Sequence, residues 1–196
     1  MRKNILLPVL TIIVTALLLL GVSAGLNSVA AANAQEEHLR LMQTLLPGST
    51  EFVVEPYVGD DSNIRSVHRG DNGFVIETVT AGYGGDITML IGVTNEGTVS
   101  GVLVREMSET LGLGTTALTD HEFLAQFLNT RGDVGIGTNA DAFTGATGSS
   151  DTEVSTYVDG ISGATVTSKA IARSVNSAVA FVTGADIDSG ATSWGG

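Results

Sequence analysis

Residues 74–106, FVIETVTAGYGGDITMLIGVTNEGTVSGVLVRE, decide the fold. Three runs within them, Phe74–Val79, Ile87–Val93 and Val99–Glu106, are rich in β-branched residues. Such side chains crowd the turns of a helix and suit a pleated strand. Gly82–Gly85 and Asn95-Glu96-Gly97 interrupt the runs, and short Gly/Asn interruptions between such runs mark hairpins. The spacing predicts an antiparallel meander within residues 52–109.

Helical patterns lie on either side. Glu36–Leu46 carries Leu39, Met42, Leu45 and Leu46 on one side and is ended by Pro47-Gly48. It reads either as a stalk or as the first helix of the domain, with preference for the second. Asp120 can cap a helix over His121–Asn129 whose Phe123, Leu124, Phe127 and Leu128 face a core. Residues 131–152, rich in Gly, Thr, Ser and Asp, read as a long loop, followed by a strand around Val154–Val158. In the last helix Ile171, Val175, Ala178 and Val182 share a face, and Gly184 stops it. The expected fold is α+β, an antiparallel sheet with flanking helices, preceded by one N-terminal transmembrane helix.

That membrane helix is read from Ile5–Leu26, which is apolar or small and uncharged. A bilayer core needs about 20 such residues. Arg2 and Lys3 precede the run and no basic residue follows until Arg40, so the positive-inside rule puts the N-terminus in the cytoplasm and the domain outside. The rival reading is a signal peptide cleaved after Ala34, since Ala32-Asn33-Ala34 fits a small-residue cleavage site. Both readings export the domain. The expected organisation is an anchor over 1–34, a domain over 35–184 and a disordered tail over 185–196.

Composition excludes several function classes. The net charge of −12 offers no basic face to nucleic acid, and lysine occurs only at positions 3 and 169. With no cysteine, the chain holds no disulfide, thiolate-bound iron–sulfur cluster, c-type haem or lipoprotein anchor. His38, His68 and His121 lie far apart without metal-ligand spacing. No Ser-His-Asp arrangement, phosphate loop or dinucleotide fingerprint occurs, so no complete active site is expected in this chain. Any redox work would fall to an organic cofactor.

One short pattern carries chemistry. Asp-x-x-(Ser/Thr)-Gly-Ala-Thr occurs at Asp159–Thr165, Asp141–Thr147 and Asp186–Thr192. A threonine hydroxyl that attacks a diphosphate ends as a phosphoester, but it is a weak nucleophile and needs an activating base or enzyme. The small Gly163 and Ala164 leave room for a large donor. Thr165 alone is followed by a helical pattern, for which Thr167 or Ser168 can act as N-cap, and a helix start stabilises a phosphate. Thr147 leads into a polar loop and Thr192 into a Gly/Ser tail.

Asp159–Ser168, Gly82-Tyr83-Gly84-Gly85-Asp86-Ile87, Glu109-Thr110-Leu111-Gly112-Leu113-Gly114 and Phe123–Phe127 together resemble the flavin-binding G subunit of Rnf-type electron-transport complexes. More distantly they are similar to the C subunit of the sodium-pumping NADH:quinone reductase. The likeness covers most of residues 1–184. It implies FMN held covalently through its phosphate on Thr165, with Asp159, Ser162, Gly163, Ala164, Thr167 and Ser168 around the attachment. It also implies that Glu109, Thr110, Leu111, Gly112 and Leu113 lie against the flavin. The chain departs from the family in having Leu111 where proline is usual.

The same resemblance implies a flavin transferase that uses FAD and a divalent metal. It further implies partner subunits in a membrane complex that moves electrons between ferredoxin and NAD, coupled to ion movement. Other roles compatible with the residues are a stand-alone exported flavin carrier and a cofactor-free anchored scaffold. Asp159 either engages the transferase or orients the threonine, or is a plain turn residue. Tyr83 either stacks on a ring or packs on its own sheet, and Lys169 either approaches the phosphate or is solvated.

Overall fold

The computed structural model describes residues 15, 33, 35–107, 119–132, 134–137 and 156–185. Ile5–Leu26 apart from Thr15, the segment Glu109–Gly114, the motifs ending at Thr147 and Thr192, and the tail beyond Ala185 lie outside them. Among the described residues no helix is long and apolar enough to cross a membrane. By contact the chain divides into residues 1–41 and 42–196.

The expected meander is present. Strands β1 (Val53–Glu55), β2 (Ile64–Arg69), β3 (Gly73–Ala81), β4 (Asp86–Thr94) and β5 (Val99–Met107) form one antiparallel sheet in that order. The nine-residue strands β3 and β4 pair along their whole length, from Gly73↔Thr94 to Ala81↔Asp86. Side chains alternate across a strand, and β4 is buried on both sides. Ile87, Met89, Ile91 and Val93 join one apolar cluster, and Leu90 joins another. A strand covered on both faces reads as a continuous apolar run, as DITMLIGVT does.

Residues 35–45 are helical (α1), and its exposed Arg40 pairs with Glu36 four residues earlier. Met42 and Leu45 of the last turn, with Leu46 just beyond, pack against Val75 and Leu90, so this end of the helix belongs to the domain core. Leu39, expected on the same side, is 39% exposed. The seat is a cross-strand glycine pair, Gly92↔Gly101. A Cβ on Gly92 would stand 2.1 Å from the Leu45 carbonyl oxygen, and one on Gly101 would stand 2.7 Å from the Leu45 Cα. Carbonyls of a last helical turn lack intrahelical partners; here the Ser100 hydroxyl donates to the Leu45 oxygen at 2.6 Å.

Gly92→Val drives a branched side chain into that backbone and unseats the turn. We expect about 2–3 kcal/mol of destabilisation, read as a fall of about 5–10 °C in melting temperature. An unchanged melting temperature would show that the turn shifts freely.

The other sheet face is covered by α2 (His121–Ala125) and α3 (Thr165–Thr183). Asp120 caps α2 as expected, accepting from the N–H groups of Glu122 and Phe123. The helix stops at Ala125 rather than Asn129. Asn129 adopts φ 65°, and the chain returns to β5, with the Asn129 N–H donating to the Val99 oxygen and the Val99 N–H to the Thr130 oxygen. Phe123 and Phe127 are buried and meet edge to face at 5.3 Å, while Leu128 is exposed.

Two further differences concern residues 131–159. The expected loop contains strand β6, Val134–Gly137, and β6 pairs in parallel with β7, Thr156–Asp159. A two-stranded parallel sheet therefore accompanies the antiparallel one. The reason is tertiary: the buried Asn176 side chain of α3 accepts from the Val134 N–H (3.0 Å) and donates to the Val134 oxygen (3.1 Å).

Helix α3 crosses the large sheet in a defined direction. Near its start the buried Thr80 hydroxyl donates to the Ala170 oxygen (3.2 Å) and shares a hydrogen bond with Ser174 (2.9 Å). Near its end Phe181 meets Phe74 edge-on at 5.5 Å, and Thr183 abuts Gly97 in the β4–β5 turn. The expected buried face is observed: Ile171, Val175 and Ala178 are fully buried, Val182 packs against the same cluster, and Gly184 caps the end.

Candidate functional site

The Asp159 motif connects β7 to α3, and each step of that connection is held. At Asp159 the backbone is gripped from both sides by one side chain: its N–H donates to Gln126 Oε1 at 2.9 Å, and its carbonyl accepts from Gln126 Nε2 at 3.4 Å. Gly160 passes closely over β6, where a Cβ would stand 2.6 Å from Ile136 Cγ2. The Ile161 N–H donates to the Ser168 hydroxyl at 3.3 Å, and the Ile161 carbonyl accepts from the Ala164 N–H at 2.9 Å. That second bond closes a four-residue turn whose third residue, Gly163, has φ 81°, a conformation that strains residues with a Cβ.

The turn delivers the chain into α3 earlier than expected. The N-cap is Ala164, and Thr165 is the first helical residue. Thr167 and Ser168, read from sequence as caps, are buried within the first turn, where Ser168 holds Ile161 instead. Side-chain capping preference favours Ser and Thr over Ala by about 1 kcal/mol; here the turn closed by Gly163 sets the start and overrides it. Ala164 has no side-chain acceptor, so the cap residue leaves the outward N–H groups of the first turn to other partners. The helix dipole adds positive potential at the same place.

Thr165 is exposed, as are Asp159, Ser162 and Gly163, whereas Ala164 is buried. Half-buried Lys169 stands four residues beyond Thr165 on the same helical face. A helical side chain leans back over the preceding turn, so Lys169 belongs to the surroundings of Thr165. An exposed hydroxyl among small neighbours, at a helix start whose cap residue supplies no acceptor, suits attachment of a phosphate-bearing group.

The motif residues Asp159, Ser162, Gly163, Ala164, Thr165, Thr167 and Ser168 thus come together in one turn and one helix start. Glu109, Thr110, Leu111, Gly112 and Leu113 lie outside the described residues. The strand leading to them ends at Met107, which pairs with Ile87 near the β3–β4 hairpin. Sequence reasoning missed the grip of Gln126, 33 residues away in the chain, and the tie made by Asn176. Gln126 sends no sequence signal. Asn176 sends one, a lone amide on the otherwise apolar or small buried face of a helix.

Fold and site define a small α+β domain that presents one threonine at the start of a helix. The chain belongs to the FMN-binding domain family, which it matches over residues 82–180. The G subunit of the ion-translocating oxidoreductase complex of Methanosarcina acetivorans is 31% identical over 191 residues, covering 87% of this chain and 93% of that protein. The G subunit of the proton-translocating ferredoxin:NAD(+) oxidoreductase complex of Clostridium ljungdahlii is 36% identical over 110 residues, covering 56% of this chain and 53% of that protein. Among solved structures, the C subunit of the Na(+)-translocating NADH-quinone reductase of Parabacteroides distasonis matches with a TM-score of 0.46 and 22% identity, over 69% of this chain and 78% of that one.

Proposed function

We propose that this chain is a membrane-anchored flavoprotein subunit that carries FMN as a phosphoester on Thr165. In this reading it relays electrons within an ion-translocating ferredoxin/NAD electron-transport complex. The observation that carries it is the exposed Thr165 as first residue of a helix whose N-cap has no side-chain acceptor, inside the matched family segment. Relatives of this chain are the G subunits of an ion-translocating oxidoreductase complex and of a proton-translocating ferredoxin:NAD(+) oxidoreductase complex.

In the loading step Thr165 Oγ bonds to the FMN-side phosphorus of FAD and the diphosphate bond breaks. AMP leaves, and the hydroxyl proton passes to a base of a flavin transferase. The first-turn N–H groups and the helix dipole then hold the remaining phosphate charge, with Lys169 on the same face. Gln126 and Ser168 keep the turn in place, and Gly163 and Ala164 leave the approach open. Asp159 engages the transferase or orients the threonine. Glu109, Thr110, Leu111, Gly112 and Leu113 border the ring. Bound there, FMN supplies electron acceptance and release, singly or in pairs.

Residues 1–34 serve as a retained single-pass anchor that puts the domain on the extracytoplasmic face, with 185–196 as a tail. One apolar span makes no ion path, so ion movement belongs to partner subunits. The test is intact mass and peptide mapping of the exported chain, co-expressed with an active flavin transferase. One FMN adduct on the peptide containing Thr165 supports the reading. No adduct sinks it and leaves the anchored scaffold.

A further inference from the structure

Exposure decides between the two roles of Tyr83. Tyr57 and Phe74 each meet Phe181 edge-on beside α3, and Phe123 meets Phe127. Tyr83, by contrast with the buried Phe123 and Phe127, is 73% exposed. It sits at the tip of the β3–β4 hairpin, which the Gly82 N–H closes by donating to the Gly85 oxygen at 2.9 Å. Its neighbours Gly82, Gly84 and Gly85 have no side chains to shield it.

The tip stands at the end of the sheet where α3 begins. Thr80 bonds to Ala170 and Ser174, whereas the opposite hairpin, at Gly97, abuts Thr183 at the far end of the helix. From Thr80 the chain leaves the strand at Ala81 and reaches Tyr83 within about 10 Å. From Ala170 the helix runs back to Thr165 by about 7.5 Å in the same sense. The tip and the acceptor threonine therefore lie toward the same end of the domain. Strand β5 ends at this same edge, with Met107 opposite Ile87.

We infer that Tyr83 is a cofactor-contacting residue whose ring lies against the flavin carried on Thr165, an inference that rests on the proposed attachment. A solvated phenol ring and a planar heteroaromatic ring gain from offset stacking, and Tyr83 is held out on a narrow glycine-flanked tip that fits beside such a plane. Tyr157, 40% exposed and two residues before Asp159, is the rival aromatic for comparison.

The test uses the full chain loaded by co-expression with a flavin transferase, as wild type, Tyr83→Leu, Tyr83→Trp and Tyr157→Leu. Intact mass first establishes one FMN per chain in each. Flavin emission is then compared before and after complete proteolysis, because a stacked tyrosine or tryptophan quenches it. We expect wild type and Tyr83→Trp to brighten several-fold on proteolysis, and Tyr83→Leu to be bright already when folded, with an unchanged melting temperature. A folded Tyr83→Leu protein as dim as wild type overturns the inference, and so does brightening confined to Tyr157→Leu. Absence of any adduct on wild type overturns the attachment itself, which mass reveals separately from emission.

Discussion

Thr165→Val yields a folded protein with no FMN. Thr165 is exposed and opens α3, so exchanging its hydroxyl for a methyl group buries nothing, creates no cavity and keeps the β-branched shape. A surface change of this kind shifts stability by about 0.5 kcal/mol or less. The expected chemical effect is total, because in the proposed attachment the hydroxyl oxygen is the atom that bonds to phosphorus and valine has none. Thr165→Ser keeps a nucleophile and retains loading, which separates chemistry from shape. Thr147→Val and Thr192→Val keep the adduct, since neither copy of the motif runs into a helical pattern. Intact mass of the four variants, each co-expressed with the same active transferase, gives the answer. An adduct that persists in Thr165→Val and vanishes in Thr147→Val would overthrow the argument from the helix start.

The motif and its helix were visible because Gly-Ala-Thr precedes a regular apolar face. The position of the helix start was not, because capping rules look for a side chain that accepts. The start is instead set by backbone, through the Ala164-to-Ile161 bond and the positive φ of Gly163. The meander was legible for a similar reason: each of its long strands carries its own β-branched pattern, and each turn carries its own glycines. Strand β6 had no such pattern. Val134-Gly135-Ile136-Gly137 alternates with the residue least suited to a strand interior, in a stretch of loop-like composition. Its partner strand is 19 or more residues on, and the amide that fixes it is 42 residues on. Leu39 and Leu128 fail differently. Helical periodicity says which residues share a face but not how far the facing surface extends, and for both residues it ends before they do.

Asn176→Leu is the expected stability lesion with the widest reach into the site. The Asn176 amide satisfies both the N–H and the carbonyl of Val134, and both bonds are buried. Leucine keeps the branching and the heavy-atom count, with methyl groups bulkier than the amide oxygen and nitrogen, and favours the helix slightly more, so neither a cavity nor propensity explains a fall in stability. The cost comes from two buried backbone groups left without partners, about 3–4 kcal/mol together, or about 6–16 °C in melting temperature for a domain of this size. Asn176→Ala costs less, because the space it opens admits a water that can bridge the same groups. The lesion travels along the fold. Val134 pairs with Thr156, and Gly137 pairs with Asp159, so loosening β6 loosens the strand from which the acceptor turn departs. Amide exchange in Asn176→Leu should therefore accelerate across Thr156–Asp159 while β3 and β4, paired along their full length, stay protected at low temperature. If the melting temperature falls but Thr156–Asp159 remain as protected as in wild type, Asn176 supports the core and not the acceptor strand. If neither changes, the amide is no tie at all.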